Sequence, residues 1–283
     1  MATLTVTAKG QITLKQELLR HMNVSPGQPA RSVGKSSPDP APESFMTAKS
    51  SKNLPQAHKK RPNGLRASRD LAPDRVASIL KGLDEAYPDV ECALTHTSPW
   101  ELLVATILSA QCTDVRVNMV TPALFKRFPT PAAMAKATLP QLEALIKTTG
   151  FFRNKAKSIK GAAEKIVTEF HGQVPQTLAE LITIPGAARK TANVVLGVCF
   201  AKAEGVVVDT HVFRIARRLG LAKGDTPQKV EQELMNVLPQ DRWIEFSHQI
   251  IHHGRQVCDA RKPKCDRCNL EQLCHSKDKT WHS

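Results

Sequence analysis

The sequence predicts an all-α body that begins near Leu71 and follows a basic N-terminal extension. Beyond residue 71, apolar residues recur at helical spacing, and no long run alternates with the period of a strand. Pro or Gly separates successive segments, which is typical of a compact bundle with tight connections. The hydrophobic content of 41% over 283 residues suffices for one or two domain cores and excludes a chain that is disordered throughout.

The chain is strongly basic, and its positive charge is unevenly placed. The formal net charge of +14 favours a polyanionic partner such as nucleic acid. Residues 1–72 contain 12 Lys and Arg against 4 Asp and Glu, so they carry +8 and leave +6 for the rest of the chain. No stretch approaches the roughly 18 apolar residues of a transmembrane helix, and the N-terminus lacks a secretory pattern. We therefore expect a soluble, intracellular protein that contacts no membrane.

The N-terminal extension has two parts. Residues 1–28 alternate like a strand over MATLTVTAKGQITL and continue as a short helix to Pro26 and Gly27. This part resembles the first half of an AbrB-type swapped-hairpin DNA-binding domain, although a fusion remnant or a true start at Met46 would also explain it. Residues 29–71 are rich in Ser, Pro, Ala and Lys without apolar periodicity, which predicts a basic, largely disordered linker.

The helices of the body can be placed by their start signals and apolar spacing. The clearest start is Ser98-Pro99-Trp100-Glu101, which combines an N-cap Ser, Pro in the first helical position and Glu completing a capping box. This helix is predicted to run to Gln111. Further helices are predicted at residues 116–125, 139–148, 154–170, 178–184, 190–200, 211–219, 227–238 and 243–254.

A helix–turn–helix segment around Pro185 and Gly186 carries the sharpest chemical signal. Backbone N–H groups at the start of the second helix can bind a phosphate, although a plain helix connection has the same pattern. Lys190 falls in the first turn of that helix, where the helix dipole and the neighbouring Arg189 disfavour its ammonium form. A neutral amine can attack a sugar C1′ and form a Schiff base, whereas the alternative role is a solvated or phosphate-contacting lysine.

Asp209 precedes a predicted helix and is a candidate N-cap residue. A carboxylate that accepts backbone N–H bonds stays ionised at neutral pH. It can therefore stabilise positive charge on a sugar or relay protons for a neighbouring lysine. The N-cap role and the chemical role are compatible.

Four of the seven cysteines lie near the C-terminal end with the spacing C-x6-C-x2-C-x5-C: Cys258, Cys265, Cys268 and Cys274. Clustered cysteines in a reducing compartment bind metal more often than they form disulfides. Zinc sites usually contain two closely spaced ligand pairs and this pattern has one, while four thiolates can equally hold a [4Fe–4S] cluster.

Five segments in chain order resemble the endonuclease III family of DNA glycosylases: LSAQCTD, GFFRNKA, IPGAARKTANVVLG, VVVDTHVFRIARRLGL and the cysteine spacing. The resemblance implies a helix-hairpin-helix glycosylase fold with a six-helix domain at residues 92–202. An iron–sulfur cluster domain would comprise residues 72–91 and 203–276. It also implies a monomer that binds duplex DNA containing damaged bases or abasic sites in the bacterial cytoplasm, associated with the nucleoid.

The same resemblance assigns roles to single residues. Lys190 and Asp209 would be catalytic, Gln111 would fill the vacated base stack, and Asp114 would line the pocket. Phe151 stands where the family often has a wedging Leu, and Ala188 stands where it usually has Gly, whose replacement could hinder approach of the phosphate backbone. The remaining expected DNA contacts are Pro185, Gly186, Arg189, Arg261, Lys262 and Lys264, and the four C-terminal cysteines would hold a [4Fe–4S] cluster.

The resemblance thus implies a bifunctional DNA glycosylase and AP lyase that removes oxidised pyrimidines and cleaves the abasic site through a lysine Schiff base. One alternative is a monofunctional adenine-type glycosylase, against which Lys190 and the short tail after Cys274 both argue. Another is a catalytically weak DNA-binding protein, or a regulator driven by the N-terminal element.

Overall fold

A computed structural model describes residues 71–281 and the backbone of residues 5–6 and 12–13. The N-terminal pair forms two short antiparallel strands, β1 (Thr5–Val6) and β2 (Ile12–Thr13), in which Thr5 lies opposite Thr13 and Val6 opposite Ile12. The strand-like pattern predicted for the first 14 residues is consistent with this pairing. The rest of the AbrB-like segment and the linker predicted for residues 29–71 fall almost wholly outside the described residues.

The body is all-α, as predicted. Residues 71–281 contain no strand. Their α-helices are α1 (Pro73–Ala86), α2 (Pro99–Leu108), α3 (Asp114–Arg127), α4 (Pro131–Ala135), α5 (Leu139–Ile146), α6 (Phe152–Glu169), α7 (Leu178–Leu181), α8 (Arg189–Phe200), α9 (Thr210–Arg218), α10 (Pro227–Val237) and α11 (Trp243–Gln256). Short 3₁₀ turns lie at Lys147–Thr149, Gln240–Arg242, Cys265–Arg267 and Glu271–Leu273.

Side-chain caps set the starts of several helices. At α2, the Ser98 hydroxyl accepts the Glu101 N–H at 3.2 Å, and the Glu101 carboxylate accepts the Thr97 N–H at 2.7 Å. Both bonds satisfy backbone donors that have no partner inside the helix. Threonine hydroxyls cap four further helices in the same way, at Thr113, Thr130, Thr177 and Thr226.

Two helix ends were predicted wrongly. The prediction that α2 runs to Gln111 is wrong, because the helix ends at Leu108 and Gln111 adopts a left-handed conformation with φ +52°. A residue with positive φ cannot continue a right-handed helix. The helix predicted to reach residue 184 likewise ends at Leu181. The five-residue helix α4 was not predicted, because it is too short to show a period.

The buried apolar side chains of the body form two clusters. The first joins α2 to α8, with Leu102, Ile159 and Leu196 fully buried. The second joins α1 to α9, α10 and α11, with Leu83 and Phe246 fully buried. The loop between α8 and α9 therefore connects helices of different clusters. In the described part of the chain, no helix is long and apolar enough to cross a membrane.

Candidate functional site

A cleft of about 600 Å³ is lined by residues from both clusters. One wall comes from the segments around residues 91–94 and 109–115, and the other from the first turns of α8 and α9 and from one face of α11. Four of the residues singled out in the sequence line this cleft: Gln111, Asp114, Lys190 and Asp209. The fold thus brings together side chains that are up to 98 residues apart in the chain.

Lys190 is the second residue of α8 and is exposed to solvent. The N-cap residue, Ala188, has no side chain that can accept a backbone N–H, so the donors of the first turn have no side-chain cap. Among the described residues, the Lys190 amine has no hydrogen-bond or ion-pair partner. It is therefore available to a ligand in the cleft, next to the positive end of the helix dipole.

Asp209 is the N-cap residue of α9, as the sequence predicts. Its Oδ1 accepts the backbone N–H groups of His211 and Val212, both at 2.8 Å. These bonds fix the carboxylate at the mouth of the cleft, and the described residues provide no hydrogen bond to Oδ2. One oxygen is thus structural, and the other can interact with charge that develops in the cleft.

The turn between α7 and α8 requires a glycine at position 186. Gly186 has φ +82°, and a Cβ there would lie 2.8 Å from Ser158 Cβ and 3.2 Å from Ile107 Cγ2. Pro185 is equally close to α6, because a Cβ at Gly161 would lie 3.3 Å from the Pro185 ring. The hairpin is consequently packed against α2 and α6, which leaves Ala188 on its exposed side.

Arg189, which the resemblance assigns to DNA contacts, pairs with a carboxylate inside the fold. Its Nε donates to both carboxylate oxygens of Glu231 on α10, each at 2.9 Å, and Asn193 Nδ2 donates to the same carboxylate at 2.9 Å. Glu231 is buried, and Gly205 makes room for it, since a Cβ there would lie 2.2 Å from Glu231 Oε1. The Arg189 guanidinium therefore ties α8 to α10 and does not line the cleft.

The two segments expected to open the duplex differ in their exposure. Gln111 is exposed and lines the cleft, whereas Asp114 forms an ion pair with Arg255 of α11, with 2.5 Å between Oδ2 and Nη2. Phe151 is 66% exposed and adopts a left-handed conformation with φ +47°, while Phe152 packs against the first cluster. Phe152 therefore contributes to the core, whereas Phe151 faces solvent.

Three histidines, among them His211 and His248, and an arginine line the cleft and were not predicted from the sequence. Burial lowers the pKa of His211, an effect that Asp209 opposes and Arg214 reinforces. Burial likewise lowers the pKa of His248 on α11. Both imidazoles are therefore neutral at physiological pH and can offer hydrogen bonds to a base. His211, His248 and Arg255 lie on amphipathic helices. The spacing of the apolar residues in these helices does not indicate which of the polar residues line a cleft.

The four C-terminal cysteines line one cavity of about 30 Å³. Burial raises the pKa of Cys268 to about 11 and also raises the pKa of Cys274, so thiolates there need a bound cation. Arg218 Nη1 donates to Cys258 Sγ at 3.2 Å, and the Thr280 N–H lies 3.4 Å from Cys265 Sγ. This donor set, four thiols with N–H groups directed at sulfur, suits an iron–sulfur cluster.

Within residues 71–281, no three His, Cys, Asp or Glu side chains converge on a point that would hold a single metal ion. A [4Fe–4S] cube does not require such convergence, because each of its irons takes one thiolate.

Comparisons with known proteins match the same part of the chain. Residues 104–240 match the family model of the HhH-GPD superfamily base excision DNA repair proteins. The chain is 56% identical to endonuclease III of Synechocystis over 202 residues, which are 71% of this chain and 92% of that relative. It is 41% identical to endonuclease III of Escherichia coli K12 over 201 residues, or 71% and 95% of the two chains.

The chain belongs to the endonuclease III family. A solved structure of a trapped endonuclease III–DNA covalent intermediate superimposes with a TM-score of 0.69 at 39% identity and covers 72% of this chain and 96% of that one. This endonuclease III homologue is accordingly a DNA-binding enzyme of base excision repair, a DNA glycosylase with AP lyase activity.

The cysteine loop of this endonuclease III homologue also carries basic residues. Arg261 and Lys262 are exposed, and neither pairs with another described residue. Lys264 is half-buried, donates to the Gln256 carbonyl at 2.9 Å and lies 3.7 Å from Asp259. Two of the three expected cations are thus free to meet a ligand, and the third holds the loop against α11.

Proposed function

We propose that this enzyme excises oxidised or ring-fragmented pyrimidines from duplex DNA, with Lys190 as its nucleophile and Asp209 as the group that assists it. The observation that carries the proposal is the meeting of an unpartnered lysine and a fixed carboxylate in one cleft, each at the start of a helix. An amine and a carboxylate in this arrangement suit attack on a sugar carbon that gains positive charge.

In the proposed reaction, Lys190 Nζ forms a bond to C1′ while the bond from C1′ to the base breaks and its electron pair leaves with the base. Asp209 stabilises the positive charge on the sugar and accepts the proton that the amine loses. The bond between C1′ and O4′ then breaks, O4′ takes up the proton held by Asp209, and a Schiff base forms between Nζ and C1′. Loss of a proton from C2′ then expels the 3′ phosphate by β-elimination and cleaves the strand.

Access to the base requires that the nucleotide leave the stack. We assign Gln111 to the vacated position and Phe151 to the wedge on the opposite side. The extruded base would lie near Asp114, His211 and His248. The α7–α8 hairpin with Ala188, and the exposed Arg261 and Lys262, would contact phosphates on either side of the lesion.

Cys258, Cys265, Cys268 and Cys274 would hold a [4Fe–4S] cluster, whose contribution is to shape the loop that carries Arg261 and Lys262. We further propose that the first apolar cluster corresponds to a six-helix domain of residues 92–202. The second would correspond to a cluster domain of residues 72–91 and 203–276. The enzyme would act as a monomer on the chromosome in the bacterial cytoplasm.

Borohydride trapping on duplexes that contain thymine glycol or an abasic site tests the assignment of Lys190. Reduction of the Schiff base leaves a permanent protein–DNA adduct, and we expect Lys190→Gln to abolish the adduct while it retains DNA binding. Lys126→Gln, which changes an exposed lysine outside the cleft, should trap as the wild type does. Base release by the wild type without any adduct would instead indicate a monofunctional glycosylase.

Metal analysis tests the cluster. We expect four irons and four sulfides per chain and a brown protein, with both lost when Cys268 is replaced by Ser. Stoichiometric zinc without iron would refute the cluster assignment and leave the lysine chemistry untouched.

A further inference from the structure

Lys155 is a buried lysine that the proposed chemistry does not use. It lies on α6 and is 5% exposed, and its Nζ donates to the Thr149 carbonyl at 2.7 Å. Among the described residues no carboxylate pairs with it, and burial lowers its pKa. An ammonium group is costly to bury, so its retention beside a single backbone carbonyl calls for a local reason.

That carbonyl belongs to the segment that carries the exposed phenylalanine. Thr149 ends the 3₁₀ turn Lys147–Thr149, and the next two residues, Gly150 and Phe151, have φ of +69° and +47°. Left-handed backbone is rare for a bulky residue and persists only where the surroundings determine it. The Phe151 side chain is 66% exposed, so its own packing does not hold the backbone in this conformation.

Lys155 donates hydrogen bonds to the residue before this strained pair and to the second residue of the pair. Its Nζ donates to the Thr149 carbonyl at 2.7 Å, and its backbone N–H donates to the Phe151 carbonyl at 3.1 Å. Phe152, the residue after the pair, is anchored in the first apolar cluster. The two left-handed residues are therefore held between the hydrogen bond of the buried Lys155 ammonium and the partly buried Phe152 ring.

We propose that Lys155 is a positioning residue for base extrusion, because its buried ammonium holds Gly150 and Phe151 in the conformation that presents the Phe151 ring to DNA. The inference rests on the proposed role of Phe151 as the wedge. Lys155 acts through the backbone and touches no reacting atom, so its loss affects the opening of the duplex and leaves the chemistry of Lys190 unchanged.

Lys155→Met tests this role, because Met retains the length and apolar stem of the side chain and removes the donor. Lys157→Met, an exposed lysine on the same helix, is the matched control. Single-turnover rates are measured on thymine glycol in a fully paired duplex and on the same lesion in an unpaired bubble, where extrusion costs less. We expect Lys155→Met to slow the paired substrate about tenfold and the bubble less than about twofold. The control should match the wild type on both.

Two further variants keep the test informative if Lys155→Met folds poorly. Gly150→Ala imposes a side chain on a φ of +69° with no atom within 4 Å, so it disturbs the loop without crowding the core. It should lower the same paired-to-bubble ratio, as should Phe151→Ala, and Lys155→Met should lower it no further when combined with Phe151→Ala. Equal slowing of both substrates by Lys155→Met would overturn the proposal in favour of a role in stability alone. A normal ratio for Phe151→Ala would instead refute the wedge role.

Discussion

The pairing of Arg189 with Glu231 predicts that Glu231→Gln destabilises the fold. The substitution removes the charge and replaces one accepting oxygen with an amide donor, opposite the Arg189 Nε and Asn193 Nδ2 donors that lie 2.9 Å from the carboxylate. A hydrogen bond to a charged group contributes about 1.5–3 kcal/mol, and the lower end applies because the Arg189 side chain is 41% exposed and screened by solvent. We expect the free energy of unfolding to fall by about 2 kcal/mol, which corresponds to a melting temperature about 4–8 °C lower.

Urea and thermal unfolding followed by circular dichroism measure this change. Glu85→Gln is the matched control, because Glu85 pairs with Lys81 at 3.8 Å on the surface of α1, with the two side chains 65% and 78% exposed. Its effect should stay within about 0.5 kcal/mol. If Glu231→Gln is as mild as the control, and Arg189→Gln weakens DNA binding without destabilising the protein, Arg189 serves the DNA surface and our reasoning is wrong.

Three other predictions follow from the cleft and its supports. Gly186→Ala should lower the free energy of unfolding by about 2 kcal/mol or more in urea titrations, because it combines positive φ with crowding against α6; Gly172→Ala, with φ +80° and open space, should cost about 1 kcal/mol. Asp209→Asn should leave the unfolding midpoint nearly unchanged, since Asn caps helices well, while single-turnover base release falls about a hundredfold. Burial lowers the pKa of His248, so there is a pH range in which the unfolded state binds a proton and the folded state does not. The free energy of unfolding therefore decreases as the pH falls below about 6.5. His248→Asn should reduce the slope of the unfolding midpoint against pH, and the remaining slope should come from His211, His252 and His253, whose pKa values burial also lowers.

The parts of the fold that depend on neighbouring residues could be predicted from the sequence. The cap at Ser98 and the break at Pro185 and Gly186 each involve residues at most three positions apart, so the local sequence is sufficient to predict them. Asp209 as an N-cap belongs to the same class. Amphipathic spacing gave the all-α body for a similar reason, because the helical period is a local property.

The features that the sequence could not supply depend on distant contacts. Arg189 was expected to contact DNA, and its ion pair with Glu231 was not predicted because Glu231 lies 42 residues further along the chain. Lys155 was not predicted to be buried, because a lysine in an amphipathic helix normally faces solvent. Its buried ammonium group donates to the Thr149 carbonyl, a contact that only the fold shows. Gln111 has an unbroken helical pattern before it, and its left-handed backbone emerges from the packing of the following loop.

These contacts change how the positive charge of the body is understood. The fold commits several arginines to carboxylates, among them Arg189, Arg218, Arg242 and Arg255. Arg261 and Lys262, by contrast, have no partner among residues 71–281.

If these two contact phosphates, each neutral substitution should reduce the slope of log binding constant against log salt concentration by about 0.9, whereas Arg189→Gln should leave the slope unchanged. Titration of an undamaged duplex by fluorescence anisotropy at several salt concentrations measures the slopes. An unchanged slope for Arg261→Gln and Lys262→Gln would move the phosphate contacts away from the cysteine loop. Net charge alone therefore does not predict which basic side chains contact DNA, because ion pairs within the fold determine how many of them remain available to phosphates.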